Sequence, residues 1–315
     1  MKGKLELINM KRNKFIGERI KKERRCGKGV YDVKNRTLYI ENLPFIYPIF
    51  KNLLIQSGIY DKWHKNALTV RIKHETWYLD NLPDDFIDFK ILQISDLHID
   101  ALPQLSEILP ALIKNINFNL CVFTGDFRFD IHKPSKTIDE LLFPIINEAN
   151  RADYPALAIL GNHDFLEYTL KIMKDQGLRF LINETIELKR YNHQILITGL
   201  DDVHYYRTGN LFEQREKINS DYFKLLLVHS PELYQEAALY GYDMYLCGHT
   251  HGGQICLPGG KPIISNSRAP EYFNKGRWRH LKMQGYTSLG TGASGIPLRW
   301  NCPPEIVVHR LKVSK

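Results

Sequence analysis

Aspartate, asparagine and histidine side chains occur in this 315-residue sequence in five short blocks, each directly after a short apolar run. The blocks are Ser95-Asp96-Leu97-His98, Thr124-Gly125-Asp126, Leu160-Gly161-Asn162-His163-Asp164, Val228-His229-Ser230 and Cys247-Gly248-His249-Thr250-His251. With His163 and Asp164 set aside, they offer two carboxylates, one amide oxygen and four imidazoles. A zinc site with one open position uses three protein ligands. Seven donors with one shared carboxylate instead serve two ions about 3.5–4 Å apart, so the donor count predicts a dinuclear centre. A mixed carboxylate, amide and imidazole set suits Mn, Fe, Zn or Co.

Such blocks need elements that bring them to one place. Lys90–Ser95, Leu120–Thr124, Ala156–Leu160, Ile195–Gly199, Lys224–Val228 and Asp243–Cys247 are apolar and bounded by polar or Gly-containing turns, which predicts buried strands. Helix-type spacing falls between them at 103–117, 136–150, 166–176 and 231–240. The alternation predicts an α/β protein with helices packed on sheet faces. Tyr286–Gly290 and Glu305–Leu311 read as closing strands, and 257–276 as a long Gly/Pro-rich loop. The blocks then lie beyond the carboxyl ends of strands, the usual ligand crevice of open α/β sheets. Glycine before Asp126, Asn162 and His249 permits tight turns there. Cys121 and Cys247 lie within apolar runs and are expected in the core.

In this order the five blocks resemble the signature of the calcineurin-like metallophosphoesterases, a resemblance that extends over residues 90–311. It implies a metallophosphoesterase sandwich, central β-sheets flanked by helices. One metal ion would take Asp96, His98, Asp126 and His251; the other would take Asp126, Asn162, His229 and His249, with Asp126 bridging. His163 would stand outside the ligand shell near the scissile phosphate, its ring oriented by Asp164. The implied reaction is attack of a metal-bridged hydroxide on a phosphodiester or pyrophosphate held by both ions. A carboxylate-held imidazole would stabilise charge or protonate the leaving oxygen. Arg128 reads equally as a planar fork for a substrate phosphate or as an ion-paired surface residue. Asp202 and His204 follow the strand ending at Gly199 and are weaker pocket candidates. Of the histidines outside the blocks, His64, His74, His132, His193, His204, His280 and His309, most read as surface or structural residues.

Gly248–Gln254, Leu257-Pro-Gly259, Gly290–Arg299 and Cys302-Pro-Pro-Glu305 further resemble a bacterial, membrane-associated branch that includes a UDP-2,3-diacylglucosamine pyrophosphatase. That resemblance implies a lipid-linked substrate at the cytoplasmic membrane face. A soluble phosphomonoesterase or protein phosphatase is the alternative. A non-catalytic scaffold is disfavoured because all seven ligand positions and His163 are present.

The charge distribution bears on where such an enzyme works. The formal net charge is +8, and residues 1–28 alone hold 11 Lys/Arg against 3 Asp/Glu. The rest of the chain is formally neutral, which argues against nucleic acid as a partner. A basic arm at 1–28 suits an anionic membrane surface or a solvated or locally packed arm. Its apolar arc (Leu5, Ile8, Phe15, Ile16, Ile20) is interrupted by Arg12 and Arg19. The expected divisions are this arm, an extension at 29–88 packing on the core or the membrane, and the metallophosphoesterase domain at 89–315. No apolar run reaches the roughly 18–20 residues of a membrane span. Five scattered cysteines without a Cys-x-x-Cys pair fit a reducing cytoplasm, with peripheral attachment to the membrane's inner face as the further expectation.

Overall fold

The structure, a computed structural model, describes residues 15–24, 31–32, 37–38, 46–130, 135–166, 169, 176–218, 220–264 and 266–314. Most of the basic arm, Cys26, His132 and most of the helix expected at 166–176 lie outside the described residues. The helices that enter the argument are α1 (15–24), α2 (Ile46–Gln56), α3 (Tyr60–Leu68), α4 (Leu105–Ile113) and α5 (Ser135–Ala149). The strands are β1 (Tyr31–Asp32), β2 (Thr37–Leu38), β3 (Arg71–Leu79), β4 (Lys90–Ile94), β5 (Leu120–Phe123), β6 (Leu157–Ala158) and β7 (Arg179–Phe180), followed by β8 (Glu184–Arg190), β9 (His193–Gly199), β10 (Lys224–Leu227), β11 (Met244–Cys247), β12 (Gly276–His280), β13 (Met283–Thr287) and β14 (Glu305–Val313).

Two six-stranded sheets face each other, in the orders β3-β14-β4-β5-β6-β7 and β12-β13-β11-β10-β9-β8. The expected α/β sandwich forms because the central strands bury mostly apolar side chains on both faces. In β5, Leu120 and Val122 enter the layer between the sheets, while Cys121 and Phe123 face the helices. In β11, Met244 and Leu246 point inward, and Tyr245 and Cys247 pack on the opposite side. Side chains alternate at a period of two, so a strand buried on both faces reads as a near-continuous apolar run. On the outer face of the first sheet, α4 buries Leu105, Leu109 and Ile113, one stripe at helical spacing, and α5 adds Leu142, Ile145 and Ala149.

Within the first sheet, β4, β5, β6 and β7 run parallel. So do β9, β10, β11 and β13 in the second. The ligand blocks leave the carboxyl ends of β4, β5, β6, β10 and β11, which gathers them at one edge of the sandwich. The boundary expected at residue 89 runs through a sheet: β3 pairs with β14 in parallel over nine residues, Arg71 with Glu305 through Leu79 with Val313. Trp77 in β3 is fully buried and donates from Nε1 to His309 Nδ1 at 3.0 Å. His309 Nε2–H then faces Gln93 Oε1 at 3.0 Å, and Gln93 Nε2 donates to Thr124 Oγ1 and the Cys247 carbonyl. This buried chain ties an edge strand to the ends of β5 and β11, and it gives His309 the structural role expected of it.

Candidate metal centre

Two groups of buried donors meet at that edge. Asp96, His98 and His251 form one, and Asp126, His229 and His249 the other, each with its donor atoms within 4.8 Å of one another. Asp126 Oδ2 lies 3.6 Å from His98 Nε2 and 3.2 Å from His229 Nε2, so one carboxylate oxygen faces both groups. Asp96 Oδ1 is 3.6 Å from His251 Nε2. Asp96, His98, Asp126, His249 and His251 all take positive φ, between 39° and 73°. Left-handed backbone at five such residues is strain that the surrounding structure must hold in place.

Close approach, as much as turning, explains the glycines of the blocks. Gly125 has φ +93°, and a Cβ there would meet Gly161 N at 2.6 Å and His229 Nδ1 at 2.7 Å. A Cβ on Gly248 would meet Asp96 Oδ2 at 2.2 Å.

Hydrogen bonds set which ring nitrogens face inward. His98 Nδ1 is 3.0 Å from the Arg128 carbonyl and His229 Nδ1 is 2.7 Å from the Thr124 carbonyl, so each donates there and turns Nε2 toward the centre. Burial pushes His98 down to about 4, and burial likewise holds His249 and His251 well below the usual imidazole range. His229 behaves oppositely. Burial disfavours its charge, but the Asp126 and Asp96 carboxylates outweigh that and push it up to about 10. Burial raises Asp96 to about 6.

The residues fit a pair of divalent cations. Among the described residues, Asn162 Oδ1, His229 Nε2 and His249 Nε2 are buried with no hydrogen-bond partner. His229 Nε2 has the distance to Asp126 Oδ2 of a hydrogen bond but not its alignment. Buried polar atoms are ordinarily satisfied. Here three buried atoms without a hydrogen-bond partner stand beside a carboxylate, the arrangement a hard or borderline cation completes.

His163 lies at the rim, 8% exposed, with its ring centroid 4.9 Å from that of His98. Its expected contact with Asp164 does not form. Asp164 is fully buried and accepts from the amides of Asp126, Phe127 and Gly161 at 2.8–2.9 Å, which ties the β5 and β6 loops together. The carbonyl of Phe129, 2.8 Å from Nδ1, orients His163 instead. A buried carboxylate presented with three amides is better satisfied by them than by one ring N–H.

Asp202 also turns away from the centre. Its carboxylate accepts from the successive amides of His204, Tyr205 and Tyr206 and shapes their loop. His204 does reach the site: its ring centroid is 4.3 Å from that of His249, and its Nδ1 is 2.6 Å from Glu232 Oε1. Arg128 is buried, its guanidinium donating to the Asp130 carbonyl.

Sequence reasoning passed over four residues. Arg299, fully buried, donates to the Gly292 and Leu289 carbonyls and stands 3.1 Å from His251 Nδ1. Phe129 acts through its carbonyl, and Arg19 and Asp201 form an ion pair behind the site. A backbone contact leaves no mark on composition. The other three have partners far away in the chain, so spacing carries no signal of them.

Residues 89–253 match the calcineurin-like phosphoesterase family. The chain belongs to that family. This calcineurin-like phosphoesterase is 32% identical over 246 residues to YkuE of Bacillus subtilis strain 168, described as an uncharacterized metallophosphoesterase, covering 73% of this chain and 82% of that protein. It is 30% identical over 244 residues to phosphodiesterase YaeI of Escherichia coli K12, covering 72% and 84%. Among solved structures it is similar to TT1561 of Thermus thermophilus, with 12% identity, a TM-score of 0.42 and coverage of 64% and 90%. The family uses dinuclear metal centres, and this phosphoesterase is a hydrolase of phosphoester bonds. Among its described residues no helix is long and apolar enough to cross a membrane.

Proposed function

We propose that this hydrolase cleaves a phosphodiester or pyrophosphate with two divalent ions, one held by Asp96, His98, Asp126 and His251 and the other by Asp126, Asn162, His229 and His249. The observation that carries the reading is the set of unpartnered buried atoms, Asn162 Oδ1, His229 Nε2 and His249 Nε2, beside Asp126. Two such ions, when bound, supply a water of lowered pKa and neutralise phosphate charge. The chain's own residues do the rest. His163, fixed through Nδ1–H by the Phe129 carbonyl, would as the imidazolium carry on Nε2 the proton that passes to the leaving oxygen. His204, braced by Glu232, borders the second group where a non-reacting part of the substrate would lie.

A lipid-linked substrate at the cytoplasmic membrane face is the finer reading, and an exposed apolar corner supports it. Leu54 of α2 packs on Ile296 and Leu298, with Ile255 alongside. Around this contact Ile49 and Leu53 are 62% and 58% exposed, and Ile263 and Ile264 are 56% and 67% exposed. The strand-like bridge at Ile255 joins this corner to the loop that follows His251. Exposed apolar side chains gathered beside a site mark a lipid or protein contact. Lys21 and Arg24 of α1 are also exposed.

The deciding assay compares a bis-aryl phosphodiester, an aryl monoester and a UDP-linked lipid pyrophosphate after metal reconstitution. The diester and the pyrophosphate are expected to be preferred in kcat/KM, and His163→Ala is expected to lose about 10²–10⁴-fold in kcat on each. A monoester preference would favour the phosphomonoesterase alternative. Ile263→Asp with Ile264→Asp is expected to release the protein from anionic vesicles while sparing hydrolysis of the soluble diester; unchanged vesicle binding would remove the corner from the membrane reading.

A further inference from the structure

Arg19 is fully buried although it belongs to a short helix toward the end of the basic segment 1–28. Both terminal nitrogens of its guanidinium are committed to two loops of the metal centre. One terminal nitrogen donates to Asp201 Oδ1 at 2.7 Å; the other donates to the carbonyls of Gly161 at 2.9 Å and Asp164 at 2.7 Å; Nε donates to Glu23 Oε1 at 2.7 Å. The Tyr206 ring lies flat against it, 3.6 Å from the guanidinium carbon. Gly161 and Asp164 bracket Asn162 and His163, and Asp201 and Tyr206 bracket the segment that carries His204.

The rest of α1 repeats the pattern. Glu23 accepts from the Leu166 amide at 2.9 Å, Lys22 donates to the Tyr206 carbonyl at 2.6 Å, and Ile16 and Ile20 pack against the core beside α4 and α5. The partners of α1 on the two loops are backbone groups, with Asp201 and the Tyr206 ring as the side chains. A planar fork with five donors in fixed directions suits this task, and an ammonium does not. Taking the guanidinium away would leave Asp201 and Glu23 as two buried carboxylates without their common counter-charge, which disfavours the arrangement that holds them together.

We propose that Arg19 is a positioning residue of the metal centre, a clip that sets the Asn162–His163 loop and the His204 loop relative to each other. The interruption that Arg19 makes in the apolar arc of the arm is then the arm's anchoring point. The inference rests on the hydrolase reading for its consequence in rate, but its structural half stands apart from any reaction.

The test measures R19A by kcat and KM on a bis-aryl phosphodiester with Mn supplied, and by amide hydrogen exchange of the metal-free and Mn-loaded proteins. Partners that orient metal ligands typically change affinity or activity 10–100-fold, so kcat is expected to fall by about that factor. KM is expected to move less than about threefold, since placement of reacting groups rather than uniform binding is lost. Exchange should quicken at 161–166 and 201–208 and stay at the parent's rate in β5, β10 and β11. Guanidinium chloride at millimolar concentration should restore part of kcat to R19A, whereas R19K should remain impaired. Arg24→Ala, on the exposed side of α1, should match the parent throughout.

Parent-like exchange at both loops in R19A overturns the proposal, as does a uniform rise in exchange across the domain without guanidinium rescue. Should R19A fail to fold, R19K carries the same readouts. A parent protein inactive on every phosphoester would sink the hydrolase reading, and the exchange measurement would still decide the role of Arg19.

Discussion

In the group formed by Asp96, His98 and His251 the donor atoms hold one another, whereas beside Asp126 the atoms Asn162 Oδ1, His229 Nε2 and His249 Nε2 have no hydrogen-bond partner. His98 Nε2 and His251 Nε2 are 3.1 Å apart. His98 Nδ1–H is committed to the Arg128 carbonyl, and a guanidinium can only donate, so Arg299 leaves His251 with its ring hydrogen on Nε2, pointing at His98. Asp96 is likewise occupied by Ser95 Oγ and the His249 amide. A shared proton therefore serves the first group in place of a cation. In the second group His229 faces Asp126 Oδ2 at 3.2 Å without hydrogen-bond alignment, and Asn162 Oδ1 and His249 Nε2 have no partner at all; each buried unsatisfied atom costs about 1–3 kcal/mol. The lesson is that one half of the centre is preorganised by its own hydrogen bonds, while the other is completed only by what binds there.

The largest effect should come from the residue common to both halves. Asp126→Asn keeps the shape but removes the negative charge facing His98 and His229. Ionic clamping is worth several kcal/mol of transition-state stabilisation and each ~1.4 kcal/mol is tenfold, so kcat/KM should fall by roughly three orders of magnitude. Elemental analysis after dialysis should show reduced occupancy of both ions; full retention of both would deny Asp126 its bridging place.

A smaller and one-sided effect is expected at Arg299. Arg299→Lys loses the fork that braces the His251 loop, and affinity for one of the two ions should drop by about 10–100-fold, as for other partners that orient a ligand. Calorimetric titration with Mn would resolve the two events. Equal weakening of both would erase the distinction between the halves.

Reversed signs are expected in the metal-free protein. With chelator present, His249→Leu replaces an unpartnered buried nitrogen and should stabilise, or at least not harm, the fold, whereas His251→Leu strips Arg299 and His98 of a partner and should destabilise by about 1–3 kcal/mol. Urea unfolding in EDTA reads both, and two losses of equal size would mean that the unpartnered atom carries no penalty.

The two halves were equally legible in the sequence, because every donor sits within four residues of a strand end and the apolar strands announce themselves. What could not be read was how the donors are held. Asp164 looks like the natural partner of the neighbouring His163, yet three amides brought by the β5 and β6 loops claim it. Arg19 looks like a flaw in an amphipathic arc, and its meaning depends on Asp201, 182 residues away. β3 escaped notice because it is an edge strand with an irregular exposure pattern, so Arg71–Leu79 lacks the apolar run that marked β5 and β11. Ligand identity is thus a local property of this chain, and ligand placement a global one.

The smallest expected effect concerns protons, and it again separates the halves. His98 is pushed down to about 4 and is neutral at pH 7, but His229 is pushed up to about 10 by Asp126 and Asp96 against the opposing pull of burial. A histidine whose folded pKa lies above its ordinary value of about 6.5 stabilises the fold fully below that pH and loses the contribution as pH rises through the folded value. The metal-free protein should therefore lose stability between about pH 6.5 and 10 from this residue, and the protection conferred by metal should widen over the same range. Binding at the second group must displace the His229 proton, so calorimetry at pH 8 in buffers of different ionisation enthalpy should show about one proton released, with affinity changing up to tenfold per pH unit. His229→Asn should abolish that release and weaken the second ion while leaving the first. Release that survives the substitution would place the proton elsewhere, and with it the claim that the second half waits for its cation.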